Sequence, residues 1–423
     1  MARYTRRVVD SELDELMAQL PALAIEGPKG VGKTATAERR AATIHRLDEP
    51  AERGIAEADP TVLLDAPAPI LIDEWQLVPP LWDAVRRAVD RGAEPGRFLL
   101  AGSAAPEAPP THSGAGRIVR IRMRPLALAE RGVAKPTVSL HGLLAGGRPA
   151  LAGRTTFALT DYVREIVASG LPGLRDLTGR ALRTQLDGYL ASVVDRDFEE
   201  QGRPVRRPTA LRRWMAAYAA ATATTATYEK IRDAATSGEG ETPTRPTVLA
   251  YRDVLERLFL LDPVPGWRPS RNRLARLTES PKHHLADPAL AARLLGVDEH
   301  ALLGRPSPGG RRPDGALLGQ LFESLVTLSV RVYAQAAEAR VHHLRTYDGR
   351  QEVDLIVESD DQRVLAIETK LSGEVTDADV KHLLWLGERI GSDLLDAVVV
   401  NTGKQAYRRP DGVAVVPAAL LGP

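Results

Sequence analysis

From Pro21 to about Arg131, short apolar runs alternate with amphipathic stretches. ALAIEG, TVLLD, PILIDEW, RFLLAGS and IVRIRM are compact runs bounded by Gly, Pro or charge, the pattern of strands. Helical stretches lie between them, so the alternation predicts a mostly parallel sheet with crossover helices. A Gly/Pro-rich patch follows from Gly142 to Gly153. From about Thr160 to Leu303 the apolar positions recur at helical spacing, as in YVREIVASGL, ALRTQLDGYLASVV and ALRRWMAAYAAATA, and predict an α-rich middle domain. Within it, TYEKIRDAA, the polar SGEGETPTRP and TVLAYRDVLERLFLLDPV run in the order helix, turn, helix, extended segment. That order fits a winged helix and a plain helical bundle equally. GRPSPGGRRPDG, Gly304 to Gly315, reads as a linker, and a second α/β unit runs from there to the end. The expected domains are therefore residues 1–140, 154–303 and 316–423, joined by a linker at 304–315.

Composition narrows this picture. A chain of 423 residues exceeds one ordinary core. No run approaches the roughly 20 apolar residues of a membrane span. The opening MARYTRRVVD passes into the acidic SELDEL rather than a signal-peptide core, so a cytoplasmic protein with no membrane partner is expected. The absence of cysteine excludes disulfides, thiolate zinc sites and cysteine nucleophiles, and favours a hard ion such as Mg²⁺ on oxygen ligands. A net charge of +1 does not mark the whole chain as a nucleic-acid binder. Only 8 of the 56 basic residues are lysines, so a lysine inside a motif carries information.

Gly27-Pro28-Lys29-Gly30-Val31-Gly32-Lys33-Thr34 matches G-x-x-x-x-G-K-[ST] between the strand ALAIEG and the helix that begins with Thr34-Ala35. The glycines let the backbone curl so that its N–H groups face phosphate, Lys33 reaches the β- and γ-phosphates, and Thr34 ligates Mg²⁺. The bland alternative is a Gly-rich strand-to-helix turn. PILIDEW ends in Asp73-Glu74, where Asp73 is expected to hold the Mg²⁺ shell and Glu74 to polarise the attacking water. RFLLAGS places Ser103 at a neighbouring strand end, within reach of the γ-phosphate or the water unless Gly-Ser is simply a turn. Arg117, after APPTHSGA, is a candidate arginine finger for its own site or for that of a neighbouring copy in a homo-oligomer.

The C-terminal unit carries a second constellation. Glu323 sits within the buried stripe Leu318, Leu321, Phe322, Leu325 and Leu328 of a helix. QEVDLIVE brings Asp354, and VLAIETK brings Glu368 and Lys370, which share a strand face at a spacing of two. Asp354 and Glu368, helped by Glu323 and the carbonyl of Thr369, form a candidate Mg²⁺ or Mn²⁺ site, with Lys370 positioning or deprotonating water for phosphodiester hydrolysis. The alternative is an amphipathic hairpin with a salt-bridged Glu and Lys.

Taken together, GPKGVGKT, ILIDEWQ, FLLAGSA, the GR before RIRMRPLALAERG, SPKHHLADPAL, and the terminal FE, EVDL and ETK resemble bacterial and archaeal ATP-binding proteins in which an AAA-type ATPase domain precedes a DUF4143 domain. The resemblance spans nearly the whole chain. It implies a P-loop ATPase domain of the AAA/ASCE type, a winged-helix-like middle, and an α/β fold similar to the PD-(D/E)XK nucleases. It implies Walker roles for Lys33, Thr34, Asp73 and Glu74, and a nuclease-like set of Glu323, Asp354, Glu368 and Lys370. ATP is the expected ligand and DNA the expected partner. Arg203, Arg206, Arg207, Arg212 and Arg213, and separately Arg268, Arg271, Arg273 and Arg276, are candidate phosphate-contacting clusters or solvated surface. Two function classes follow: an ATP hydrolase whose nucleotide state gates a nuclease-like domain, or an ATP-dependent switch whose C-terminal fold only binds DNA or a protein.

Overall fold

A computed structural model describes residues 4–103, 114–236, 243–269, 279–304, 315–346 and 349–423. The N-terminal unit comprises α1 (Val9–Met17), β1 (Ala22–Glu26), α2 (Lys33–Glu38), β2 (Thr43–Arg46), α3 (Pro50–Ala58), β3 (Ile70–Asp73), α4 (Pro80–Asp90), β4 (Phe98–Gly102) and β5 (Val119–Arg122). The strands form one all-parallel sheet in the order β2-β3-β4-β1-β5. Crossover helices cover the sheet, so β1, β3 and β4 are apolar on both faces, which is why they read as continuous runs. β4 separates β3 from β1, and the sheet's C-terminal edge gathers the ends of all three strands.

Two elements differ from the sequence pattern. TVLLD is a 3₁₀ turn, Val62–Asp65, hemmed between Pro60 and Pro67. The sheet edge is taken instead by β2, whose half-exposed Thr-Ile-His-Arg lacks an apolar run because an edge strand meets solvent.

The middle region adds β6 (Val138–Ser139), α5 (Leu140–Leu144), α6 (Leu159–Val167), α7 (Gly179–Ser192), α8 (Pro208–Ala220), α9 (Tyr228–Ala234), α10 (Arg245–Arg257), α11 (Pro288–Leu294) and α12 (Glu299–Leu303). α7 runs on through a π-helical turn, Val193–Asp197, to Glu200. At its centre Tyr251 packs edge to face with Phe198 and Trp214, and Trp214 lies tilted against Tyr218. After α10 the chain is extended: Leu261 and Val264 bridge to Leu285 and Lys282, and β7 (Gly266–Trp267) follows.

The last unit is α13 (Gly315–Ala336), β8 (Arg340–Arg345), β9 (Glu352–Glu358), β10 (Val364–Lys370), α14 (Asp377–Ile390), β11 (Leu394–Asn401), β12 (Tyr407–Arg408), β13 (Ala414–Pro417) and β14 (Leu421–Gly422). Its mixed sheet runs β12-β13-β11-β10-β9-β8-β7, so the middle region donates the β7 edge strand. β14 returns to pair with β6, and Arg408 donates to the Pro149 carbonyl at 3.0 Å. The Gly/Pro-rich patch is thus clamped onto the C-terminal unit. Most of the expected linker, residues 305–314, lies outside the described residues.

The 22 residues of α13 are long and apolar enough, by length and composition, to cross a membrane. They are the core helix of the unit instead, with 61% of the apolar window buried inside the fold. Its Tyr333 hydroxyl and Ser329 hydroxyl accept hydrogen bonds from Ala129 N–H (2.9 Å) and Leu128 N–H (3.2 Å), just beyond β5. One continuous hydrophobic cluster runs from Val9 to Leu421 through all three regions.

Candidate nucleotide site and C-terminal carboxylate cluster

The loop between β1 and α2 has the backbone its glycines predict. Gly30 and Gly32 adopt φ of 77° and 99°, which β-carbon-bearing residues avoid. At Gly27 a β-carbon would lie 2.2 Å from the Met123 carbonyl oxygen. The N–H groups of Gly30, Gly32, Lys33 and Thr34 have no backbone partner among the described residues. They are the donors that an anion would satisfy.

Lys33 is buried and its ammonium donates to the carbonyls of Gly27 (2.9 Å) and Pro28 (3.0 Å). Burial lowers it to about 8, against the opposing charges of Glu74 and Asp73. Thr34 Oγ1 donates to both carboxylate oxygens of Asp73 at 3.0 Å, and burial raises Asp73 to about 6 despite that bond. A buried ammonium held only by carbonyls, beside a hydroxyl–carboxylate pair, fits a triphosphate and Mg²⁺. Val31 and Ala35 complete the turn and the first turn of α2, and the Val31 carbonyl accepts from Arg7 at 2.9 Å.

Glu74 stands at the end of β3 in a left-handed conformation, φ 55° and ψ 39°. Such a backbone costs a non-glycine residue about 1–3 kcal/mol and clusters at functional sites. Its carboxylate accepts from Ser103 Oγ at 3.3 Å and from Gln76 Nε2. Ser103 is therefore a partner of Glu74 and not merely a turn residue. Arg117 is elsewhere. It precedes β5, whose Val119 is in register with Leu23, so it lies at the N-terminal edge of the sheet, opposite the loop. There it pairs with Asp90 at 2.8 Å.

The middle region grips the loop, which the sequence did not indicate. Lys29 Nζ lies 2.6 Å from Asp197 and 3.0 Å from Glu200, and its carbonyl accepts from Tyr189 Oη at 3.3 Å. Asp197 ends the π-helical turn that extends α7.

In the C-terminal unit, Glu323 and Asp354 meet on a cation the pattern missed, and Glu368 and Lys370 pair with each other beside them. Lys282, from the middle region, is 1% exposed and lies 2.8 Å from Glu323, 3.0 Å from Asp354 and 3.3 Å from Glu352. Asp354 uses its other oxygen to accept from Thr369 N–H (2.9 Å) and Oγ1 (2.8 Å). Lys370 bonds Glu368 at 2.8 Å. Burial opposes ionisation of Asp354, yet Lys282 and Thr369 hold it below the usual range. Burial and the Asp354 charge push Glu323 and Glu368 each up to about 8. Among the described residues no group of three or more such side chains is arranged to hold a metal ion. An ammonium in the middle of the acids does not fit a divalent cation in the same place. SPKHHLADPAL carried the signal: Lys282 is one of the few lysines in an arginine-rich chain.

Arg203, Arg206, Arg207, Arg212 and Arg213 are exposed at the start of α8 and before it, with Arg212 paired to Asp195 at 2.8 Å. Of the second cluster, Arg268 pairs with Glu279, and Arg271, Arg273 and Arg276 lie outside the described residues.

Three family models match the chain: an AAA domain over residues 19–131, a domain of unknown function (DUF8612) over 159–301, and a domain of unknown function (DUF4143) over 318–421. Uncharacterized proteins of Mycobacterium bovis and Mycobacterium tuberculosis are each 24% identical over 428 residues, spanning 98% of this chain and 83% of theirs. Among solved structures, a Walker-type ATPase of Pyrococcus abyssi aligns at 14% identity and a TM-score of 0.41, covering 69% of this chain and 96% of that one. The matches support an AAA-type ATPase domain followed by a DUF4143 domain.

Proposed function

We propose that the chain is a Mg²⁺-dependent ATP hydrolase that works as a nucleotide-driven switch on DNA. The observation that carries the reading is the joint placement of buried Lys33, Asp73 and Ser103 with Glu74 around a loop whose N–H groups at Gly30, Gly32, Lys33 and Thr34 have no backbone partner among the described residues. Thr34 and Asp73 would hold Mg²⁺, which neutralises charge on the phosphate oxygens. Lys33 would exchange two carbonyls for phosphate oxygens. Glu74, steered by Ser103 and Gln76, accepts the proton of the attacking water. Lys29 links this loop to Asp197, so any shift of the loop backbone pulls on the end of α7.

Wild-type protein is expected to release phosphate from Mg·ATP, with Lys33→Ala inactive. A full-length, folded wild type with no turnover above that variant overturns the reading.

For the C-terminal unit, Lys282 favours the binding module over the gated nuclease. DNA is favoured as partner by the exposed Arg203, Arg206 and Arg207 on one stretch. Mg²⁺- or Mn²⁺-dependent nicking of duplex, single-stranded or branched DNA, abolished by Asp354→Ala, is the outcome that restores the nuclease reading. Given where Arg117 lies, an arginine finger at that position belongs to a second copy acting in trans.

A further inference from the structure

The segment that delivers Lys282 is fastened along its length. Lys282 and Val264 exchange backbone hydrogen bonds at 2.9 Å in both directions, and His283 N–H donates to the Thr224 carbonyl at 2.9 Å. Asp287 accepts from Ser169 Oγ at 2.5 Å and Gly170 N–H at 2.7 Å before capping α11. The ammonium therefore arrives on a rigid support, and its acid partners come from two elements of another region: Glu323 from α13, and Glu352 and Asp354 from β9. Glu368 keeps one buried carboxylate oxygen, Oε2, without a hydrogen-bond partner.

We propose that Lys282 is a tethered cation that takes the place of a divalent metal between Glu323 and Asp354, so that the C-terminal unit is a metal-free module locked to the middle region. Mg²⁺ would need these same oxygens at about 2.1 Å and would have to shed several waters to enter. The covalently attached ammonium needs no such dehydration at the moment of competition and acts at a high effective concentration. Evicting it leaves a buried ammonium unpaired, which opposes exchange. The unit is thereby held in one register against the middle region by charge that, in an open site, recruits a metal.

This inference deepens the binding-module reading and does not depend on ATP turnover, which is measured on the same preparations. The test is a Mn²⁺ titration of nucleotide-free full-length protein, followed by the loss of free-ion electron paramagnetic resonance signal. Wild type and Asp354→Asn are expected to titrate alike. Lys282→Ala is expected to gain one Mn²⁺ site at least tenfold tighter than any in wild type, and Lys282→Ala/Asp354→Asn to lose it. A wild-type site abolished by Asp354→Asn overturns the proposal, as does a folded Lys282→Ala that gains nothing. If Lys282→Ala does not fold, the wild-type comparison with Asp354→Asn decides alone.

Discussion

At the residue scale, the backbone of the glycine-rich loop was the most legible part of the chain because its geometry constrains residue type and spacing together. Gly30 and Gly32 had to be glycine for their φ, and Lys33 and Thr34 follow at fixed distance. What could not be read was who else touches the loop. Lys29 looks like an arbitrary position of the motif, yet it pairs with Asp197, 168 residues away. The two shifted groups predict a pH profile for kcat/KM on ATP. Asp73, raised to about 6, loses its metal-holding charge as pH falls through that value. Lys33, lowered to about 8, loses its positive charge as pH rises through that value. The profile is expected to be bell-shaped with limbs near those two values, reported for free enzyme by initial-rate kinetics. Glu74→Gln is expected to reduce kcat by about 10²-fold or more, while Ser103→Ala, which only steers Glu74, costs less.

Apolar runs located the strands buried on both faces, β1, β3, β4 and β10, and also the half-exposed β5, but missed two others. β2 escaped because its side chains are half exposed, and β8 because Arg340, His342 and Arg345 interrupt its apolar positions. TVLLD misled for the opposite reason: its leucines are buried, but by a 3₁₀ turn. The carboxylate elements make a stability prediction. Glu323 is raised to about 8, above its ordinary value, so its contribution to stability is fully present at low pH and is lost as pH rises from about 4.5 to about 8. Relative to Glu323→Gln, the wild-type thermal midpoint is expected to fall across that window, measured by differential scanning calorimetry. At the junction of loop and helix, Lys29→Ala removes a partly exposed pair worth about 1 kcal/mol or less. It is expected to raise hydrogen exchange at residues 193–200 while leaving α13 unchanged.

For the whole molecule, the apolar periodicity suggests three regions but carries no sign of their interdependence. β7 leaves the middle region to extend the C-terminal sheet, and β14 comes back to β6. Asp262, in an unremarkable LLDPV, joins all three regions: it lies 2.7 Å from Arg124, 3.2 Å from Arg331 and 4.0 Å from Arg122. Burial opposes its charge, but the three guanidinium groups hold it ionised far below the usual carboxylate range. Asp262→Ala leaves those cations in the interior without their counter-charge and is expected to cost about 3–5 kcal/mol. Because the hydrophobic cluster is continuous, wild type is expected to unfold in a single transition, which the variant shifts to lower denaturant.

The central claim is that Lys33, Thr34, Asp73 and Glu74 form a working site for Mg·ATP. The most direct measurement is steady-state phosphate release by purified full-length protein beside Lys33→Ala, each with Mg²⁺ and with EDTA. The account predicts Mg²⁺-dependent release by wild type and background release by the variant. Folded wild type whose release equals that of Lys33→Ala contradicts it.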